Sequence, residues 1–145
     1  MGNTTTLSIS VATDVNASPE AVWAVLTDPA KLGKIFWDCT VEGGFAVGST
    51  LVWKGEWAGK PFEDRGRVLK SEPRKLLQVA HWTVSTASTP ESNPNVLTWK
   101  LGKTSTGTRV TFLHENILTK EMKEHSEPMW RQLLERLKET VETAS

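Results

Sequence analysis

Aromatic residues carry most of the chemical information in this sequence. Seven tryptophans and four phenylalanines occur in 145 residues, with no tyrosine. Trp53, Trp57, Phe62, Trp99 and Phe112 fall on the apolar parity of alternating segments. Trp130 heads an apolar stripe at helical spacing through Leu133, Leu134, Leu137 and Val141. Trp37 stands at the end of an expected helix, where a cavity entrance would be. Trp82 lies on one parity of a segment whose facing the pattern leaves undecided. Such a set either fills a core or lines a concave, mostly apolar site with few polar anchors. Indoles suit the second role because each joins a large apolar body to one N–H that needs a partner. The expected cavity lining is these residues together with His114 and Leu134.

The polar candidates are residues that interrupt apolar faces. Asp64 falls on the Phe62, Gly66 and Val68 side of its segment, away from Glu63, Arg65 and Arg67. His114 shares a face with Val110 and Phe112. An inward carboxylate is costly unless hydrogen-bonded. With His114 it could form an acid–base pair that polarises an enolisable carbonyl. The alternative is that Asp64 is wet beside a turn and His114 bonds to backbone. His81 is a further catalytic candidate on a segment with two readings: Leu76, Gln78, Ala80 and Trp82 inward, or Leu77, Val79 and His81 inward. Cys39 has no local base and reads as a free thiol. No metal site is expected, because the three histidines are far apart in sequence and there is no cysteine pair. No cofactor motif and no serine-hydrolase elbow occurs.

Several elements must position these side chains. Leu7, Ile9, Val11 and Val15 alternate with polar residues and predict a strand over residues 5–15. Ser18-Pro19-Glu20 is a helix start, with Ser18 as N-cap and Pro19 in the first turn. Asp28-Pro29 ends that helix and caps a second short one through Ile35. Gly43-Gly44, Gly48, Ala58-Gly59-Lys60, Glu72-Pro73-Arg74 and Ser105-Thr106-Gly107 punctuate a run of strands. Residues 86–94 read as a loop. Thr119 is expected to cap a short turn through His125, and Ser126-Glu127-Pro128 to start the long C-terminal helix. The order is α+β: an antiparallel sheet with segregated helices.

Ser18-Pro19-Glu20-Ala21-Val22-Trp23 followed by Leu26-Thr27-Asp28-Pro29 resembles the opening of the START-like helix-grip superfamily, also called SRPBCC or Bet v-like. Gly66-Arg67-Val68-Leu69, Glu72-Pro73-Arg74-Lys75-Leu76, Gly107-Thr108-Arg109-Val110-Thr111 and Trp130 with Leu133 to Lys138 follow in the family's order. The series is most similar to the branch of homologues of the heat-shock-protein-90 ATPase activator. The resemblance implies one domain over residues 1–145, with a curved seven-stranded antiparallel sheet wrapped around the C-terminal helix. It also implies a cavity between sheet and helix. Members include carriers of apolar ligands, cyclases and co-chaperone domains.

Composition narrows the functional classes. Seventeen basic and seventeen acidic residues balance, which gives no electrostatic footprint for nucleic acid or an anionic membrane surface. No apolar run is long enough to span a bilayer. The N-terminal stretch lacks the features of a signal peptide, and one cysteine allows no intrachain disulfide, so a cytoplasmic protein is expected. The leading expectation is a binder of a small apolar or aromatic ligand, monomeric or homodimeric. A module acting on a chaperone partner is the alternative, and an enzyme using Asp64 and His114 is the next.

Overall fold

The computed structural model describes residues 7–57, 59–84 and 89–144. The chain begins with strand β1 (Leu7–Val15), whose Ile9, Val11 and Val15 are buried while Ser8, Ser10 and Ala12 are exposed. Helix α1 (Pro19–Leu26) starts where the Ser18 hydroxyl accepts from the Ala21 amide at 3.2 Å. Helix α2 (Pro29–Ile35) starts where Asp28 accepts from the Ala30 and Lys31 amides. Both caps satisfy helix N–H groups that have no intrahelical partner.

Six strands follow: β2 (Thr40–Gly43), β3 (Thr50–Trp57), β4 (Lys60–Glu72), β5 (Leu76–Thr83), β6 (Asn95–Lys103) and β7 (Thr108–Ile117). They join β1 in one sheet of order β1-β7-β6-β5-β4-β3-β2, with every neighbour antiparallel. Hairpins link consecutive strands, and β1 closes the far side by pairing with β7. The short edge strand β2 is followed by the turn-rich segment that Gly43-Gly44 and Gly48 announce. The expected strand start at residues 5–6 lies outside the described residues, and so does part of the 86–94 loop.

The long helix α3 (Lys120–Ala144) differs from expectation at its start. The Thr119 hydroxyl accepts from the Met122 amide at 3.1 Å, and the helix then runs unbroken through Pro128. Ser126 therefore caps nothing. Proline at this position removes one backbone donor but does not stop a helix whose buried stripe continues on both sides. Trp130, Leu133, Leu134, Leu137 and Val141 of that stripe are buried against the sheet. Polar ties fix the helix along β1. Lys138 Nζ donates to the Asp14 carbonyl and to Glu142, and Glu142 accepts from the Asn16 amide, each within 2.9 Å. Arg136 donates to the Lys34 carbonyl at 3.0 Å and so joins α3 to α2. The architecture is α+β, a curved open sheet gripping one long helix. Among the described residues no helix is long and apolar enough to cross a membrane.

Candidate functional site

The register of the central strands decides which side chains meet. Leu51 and Trp53 of β3 stand opposite Gly66 and Asp64 of β4, and Gly66 and Asp64 stand opposite His81 and Thr83 of β5. All of these share the concave face. Leu97 and Trp99 of β6 continue that face, followed by His114 and Phe112 of β7. His81 therefore points inward with Leu77 and Val79, which settles the parity that the sequence left open.

That same register places Trp82 on the opposite face. It is 7% exposed there, beneath the Arg67 guanidinium at 5.9 Å from its ring. The expectation that Trp82 lines the cavity is corrected. The side chain of Trp57 lies outside the described residues. The remaining expected lining residues fall on the helix-facing side or at its margin.

The deep end of the face is an aromatic cluster around Phe36, the residue that ends α2. Its ring lies 5.9 Å from Trp53, 6.4 Å from Trp99 and 6.3 Å from Trp130, centre to centre. Phe112 bridges Trp99 at 5.0 Å and Trp130 at 4.6 Å. Leu134 is buried beside them in the same core. Edge-on and tilted packing of this kind adds to the area term. Phe36 was not among the expected site residues. Its signal was present: with Leu32 and Ile35 it makes an apolar helical face.

Toward the open side, packing loosens and polar groups enter. Trp37, Cys39, Phe62, Asp64 and His81 are all half-buried. His81 Nε2 lies 3.3 Å from Asp64 Oδ2, a diagonal contact across the β4–β5 pair. The Trp53 ring stands edge-on to His81 at 5.4 Å. Gly66 makes this possible, because a Cβ there would come within 3.0 Å of the Trp53 ring and 2.7 Å of the Ala80 carbonyl oxygen. Phe62 lies over Gly55, where a Cβ would be 2.9 Å from its ring and 3.3 Å from Cys39 Sγ. Burial pushes the Cys39 thiol above its ordinary pKa, and Asp64 and Asp38 add to the shift. A raised thiol is a poor nucleophile at neutral pH. Trp37 sits at the margin of the cluster, with the Arg136 guanidinium 5.8 Å above its ring.

His114 does not pair with Asp64, so the expected acid–base couple is not assembled as a direct contact. Its Nδ1 accepts from the Trp130 indole N–H at 2.8 Å. Burial, with a smaller contribution from nearby His81, lowers its pKa to about 4. The ring is neutral at pH 7, and with Nδ1 accepting, its proton resides on Nε2. Among the described residues Nε2 has no partner, and neither do the indole nitrogens of Trp53 and Trp99. Among the described residues no three His, Cys, Asp or Glu side chains gather closely enough to hold a metal ion. Open clefts lie elsewhere among the described residues. One of about 800 Å³ runs from Asn16–Glu20 to Pro73–Lys75 and the β6–β7 turn, and one of about 370 Å³ lies along Arg131, Gln132, Glu135 and Arg136. The chemistry of the concave face is therefore apolar burial with a small set of N–H donors and one carboxylate.

Comparison with known proteins gives the family and the fold. Residues 16–142 match the family model described as Activator of Hsp90 ATPase homolog 1-like protein. No curated protein matches the chain. A solution structure of the protein ChR145 from Cytophaga hutchinsonii is 35% identical, with a TM-score of 0.79 and 95% of each chain covered. The Aha1 dimer from Colwellia psychrerythraea is 26% identical, with a TM-score of 0.74, and the match covers 93% of this chain and 96% of that one. Protein CV1439 from Chromobacterium violaceum shares the fold at 22% identity, with a TM-score of 0.81 and coverage of 93% and 96%.

Proposed function

This chain belongs to the activator of Hsp90 ATPase homolog 1-like family of helix-grip proteins, and from that premise we propose that it binds a small apolar or aromatic ligand between the sheet and α3. The observation that carries the reading is the half-buried Asp64–His81 pair, set against Trp53 at the open side of a buried aromatic cluster. Helix α3 packs chiefly on β1 and β7, and the half-buried Trp37, Phe62, Asp64 and His81 mark the margin through which a ligand would enter. Burying about 200 Å² of ligand apolar surface would contribute about 5 kcal/mol before the costs of immobilisation. Phe36, Trp53 and Trp130 supply the contact surface, and Asp64 and His81 orient the polar end.

Titration of tryptophan fluorescence with a panel of small aromatic and fatty compounds tests this. A saturable change is expected that Trp53→Phe diminishes and Trp82→Phe leaves in place. A response lost only in Trp82→Phe, or none at all from folded protein, contradicts the proposal.

The relative described as a dimer favours a second reading, in which this chain is an interaction module acting as a homodimer or on a chaperone partner. The convex face argues for the lower rank of this reading. Arg65 bonds Glu63 at 2.6 Å and Arg67 approaches Glu91 at 3.9 Å, so that face carries paired, solvated charges. Among the described residues its exposed large apolar side chains are single ones, Leu69 and Val84, rather than a broad docking patch.

A further inference from the structure

The cleft of about 800 Å³ lies at the end of β5 and β6 remote from Asp64 and His81. Its walls are the β1–α1 link, the β4–β5 turn and the β6–β7 turn, and they are tied together. The Thr108 hydroxyl donates to the Ala17 carbonyl at 2.8 Å, and a Cβ at Gly107 would lie 2.1 Å from the Val15 carbonyl oxygen. A cleft held in this way binds without first having to be assembled. Its charge is one-sided. Among the described residues Arg74, Lys75 and Lys103 line it against a single acid, Glu20, in a chain that is neutral overall. Lys75 and Lys103 are exposed and enter no ion pair among the described residues. Arg74 already holds a carboxylate, that of Glu20, at 3.5 Å. It does so from a left-handed backbone conformation, φ 67°, which glycine adopts at lower cost.

We propose that this cleft receives an acidic, extended segment of a partner protein, independently of the ligand-binding reading above. Two observations select a peptide over a compact anion such as phosphate. The cations stand on separate turns, Arg74 and Lys75 on one and Lys103 at the start of the other, so they meet charges spread along a chain. The amides of Lys75, Thr104, Thr106 and Gly107 are bonded within their own turns and are not free to cradle a phosphate. Leu101 donates its amide to the Lys75 carbonyl at 2.8 Å, which sets Lys75 beside Leu101. Lys103 follows Leu101 on the same face of β6, two residues and about 7 Å further on. An extended peptide repeats every two residues at the same spacing, so its alternate carboxylates reach successive cations.

Fluorescence anisotropy of short labelled peptides titrated with the full chain tests this. The peptides alternate serine with glutamate, glutamine or lysine, and inorganic triphosphate is the competitor. The glutamate peptide is expected to bind saturably, at least about ten-fold more tightly than the glutamine or lysine peptide, and to be released by added salt. Lys75→Gln and Lys103→Gln should each weaken it, and Glu20→Gln should tighten it by freeing Arg74. Arg74→Gly removes a cation while relaxing the backbone, so it should weaken binding with little change in the unfolding midpoint. Amide correlation spectra should place the shifts at residues 16–20, 73–75 and 103–107. Equal binding of the glutamate and glutamine peptides overturns the proposal, as does undiminished binding by Arg74→Gly or no binding by folded protein. Shifts centred on Asp64 and His81 overturn the placement in this cleft. Displacement of the peptide by triphosphate at lower concentration than by unlabelled peptide overturns the choice of a peptide. Each of these results leaves the ligand-binding reading standing.

Discussion

At His114, burial and hydrogen bonding act in the same direction. Burial disfavours the imidazolium, and the Trp130 N–H occupies the nitrogen that would have to accept the second proton. The ordinary histidine pKa of 6.5 falls to about 4 in the folded chain. Between those values the unfolded chain binds more protons than the folded one, so stability from this group is intact above about pH 6.5 and is lost as the pH falls toward 4. The difference corresponds to about 3 kcal/mol. Urea unfolding at a series of pH values should show the wild type losing stability over this interval more steeply than His114→Phe. Equal slopes in the two proteins would contradict the assignment of His114 as a buried neutral ring. The sequence revealed His114 as inward by parity with Val110 and Phe112. It could not reveal the partner, because Trp130 lies on another element and meets His114 only once α3 is seated.

Among the elements, α3 carries the clearest local conflict. Pro128 is exposed on a helix that continues past it in both directions. An interior proline costs a helix about 3 kcal/mol, partly offset by the stiffer unfolded chain. Pro128→Ala should therefore raise stability by about 1–3 kcal/mol, seen as a higher unfolding midpoint. An unchanged or lower midpoint would mean that the ring makes compensating contacts. Ser126-Glu127-Pro128 reads as a helix start because the local pattern is that of a cap. The Thr119 cap and the buried stripe outweigh it. Strand β5 was ambiguous for a different reason. Its convex face is covered as well: Ala80 and Trp82 are buried, and so is Thr98 of β6, which stands opposite Gln78. A strand buried on both sides loses the alternation that reveals facing. Strands β1, β4 and β7 keep polar residues on their convex side, and their parity was legible. The four-residue β2 is too short to show a period.

At the scale of the whole molecule, one curved sheet grips one long helix. Caps, turns and alternation are local signals, and they sufficed for the order of most elements. The likeness of Ser18–Pro29 and later segments to one superfamily supplied the topology. The candidate site depends on long-range register. Asp64 and His81 meet only because β4 and β5 pair with Gly66 opposite His81. Phe36 becomes the hub because α2 ends against β3, β6 and α3 at once. No spacing in the sequence encodes those meetings. In the proposed function the ligand meets the concave face of the sheet and not the convex face. The most direct test is the set of indole N–H signals at saturation with 2-acetylnaphthalene. Trp53, Trp99 and Trp130 are expected to shift while Trp82 stays in place. Movement of Trp82 with the other three unchanged would contradict that placement.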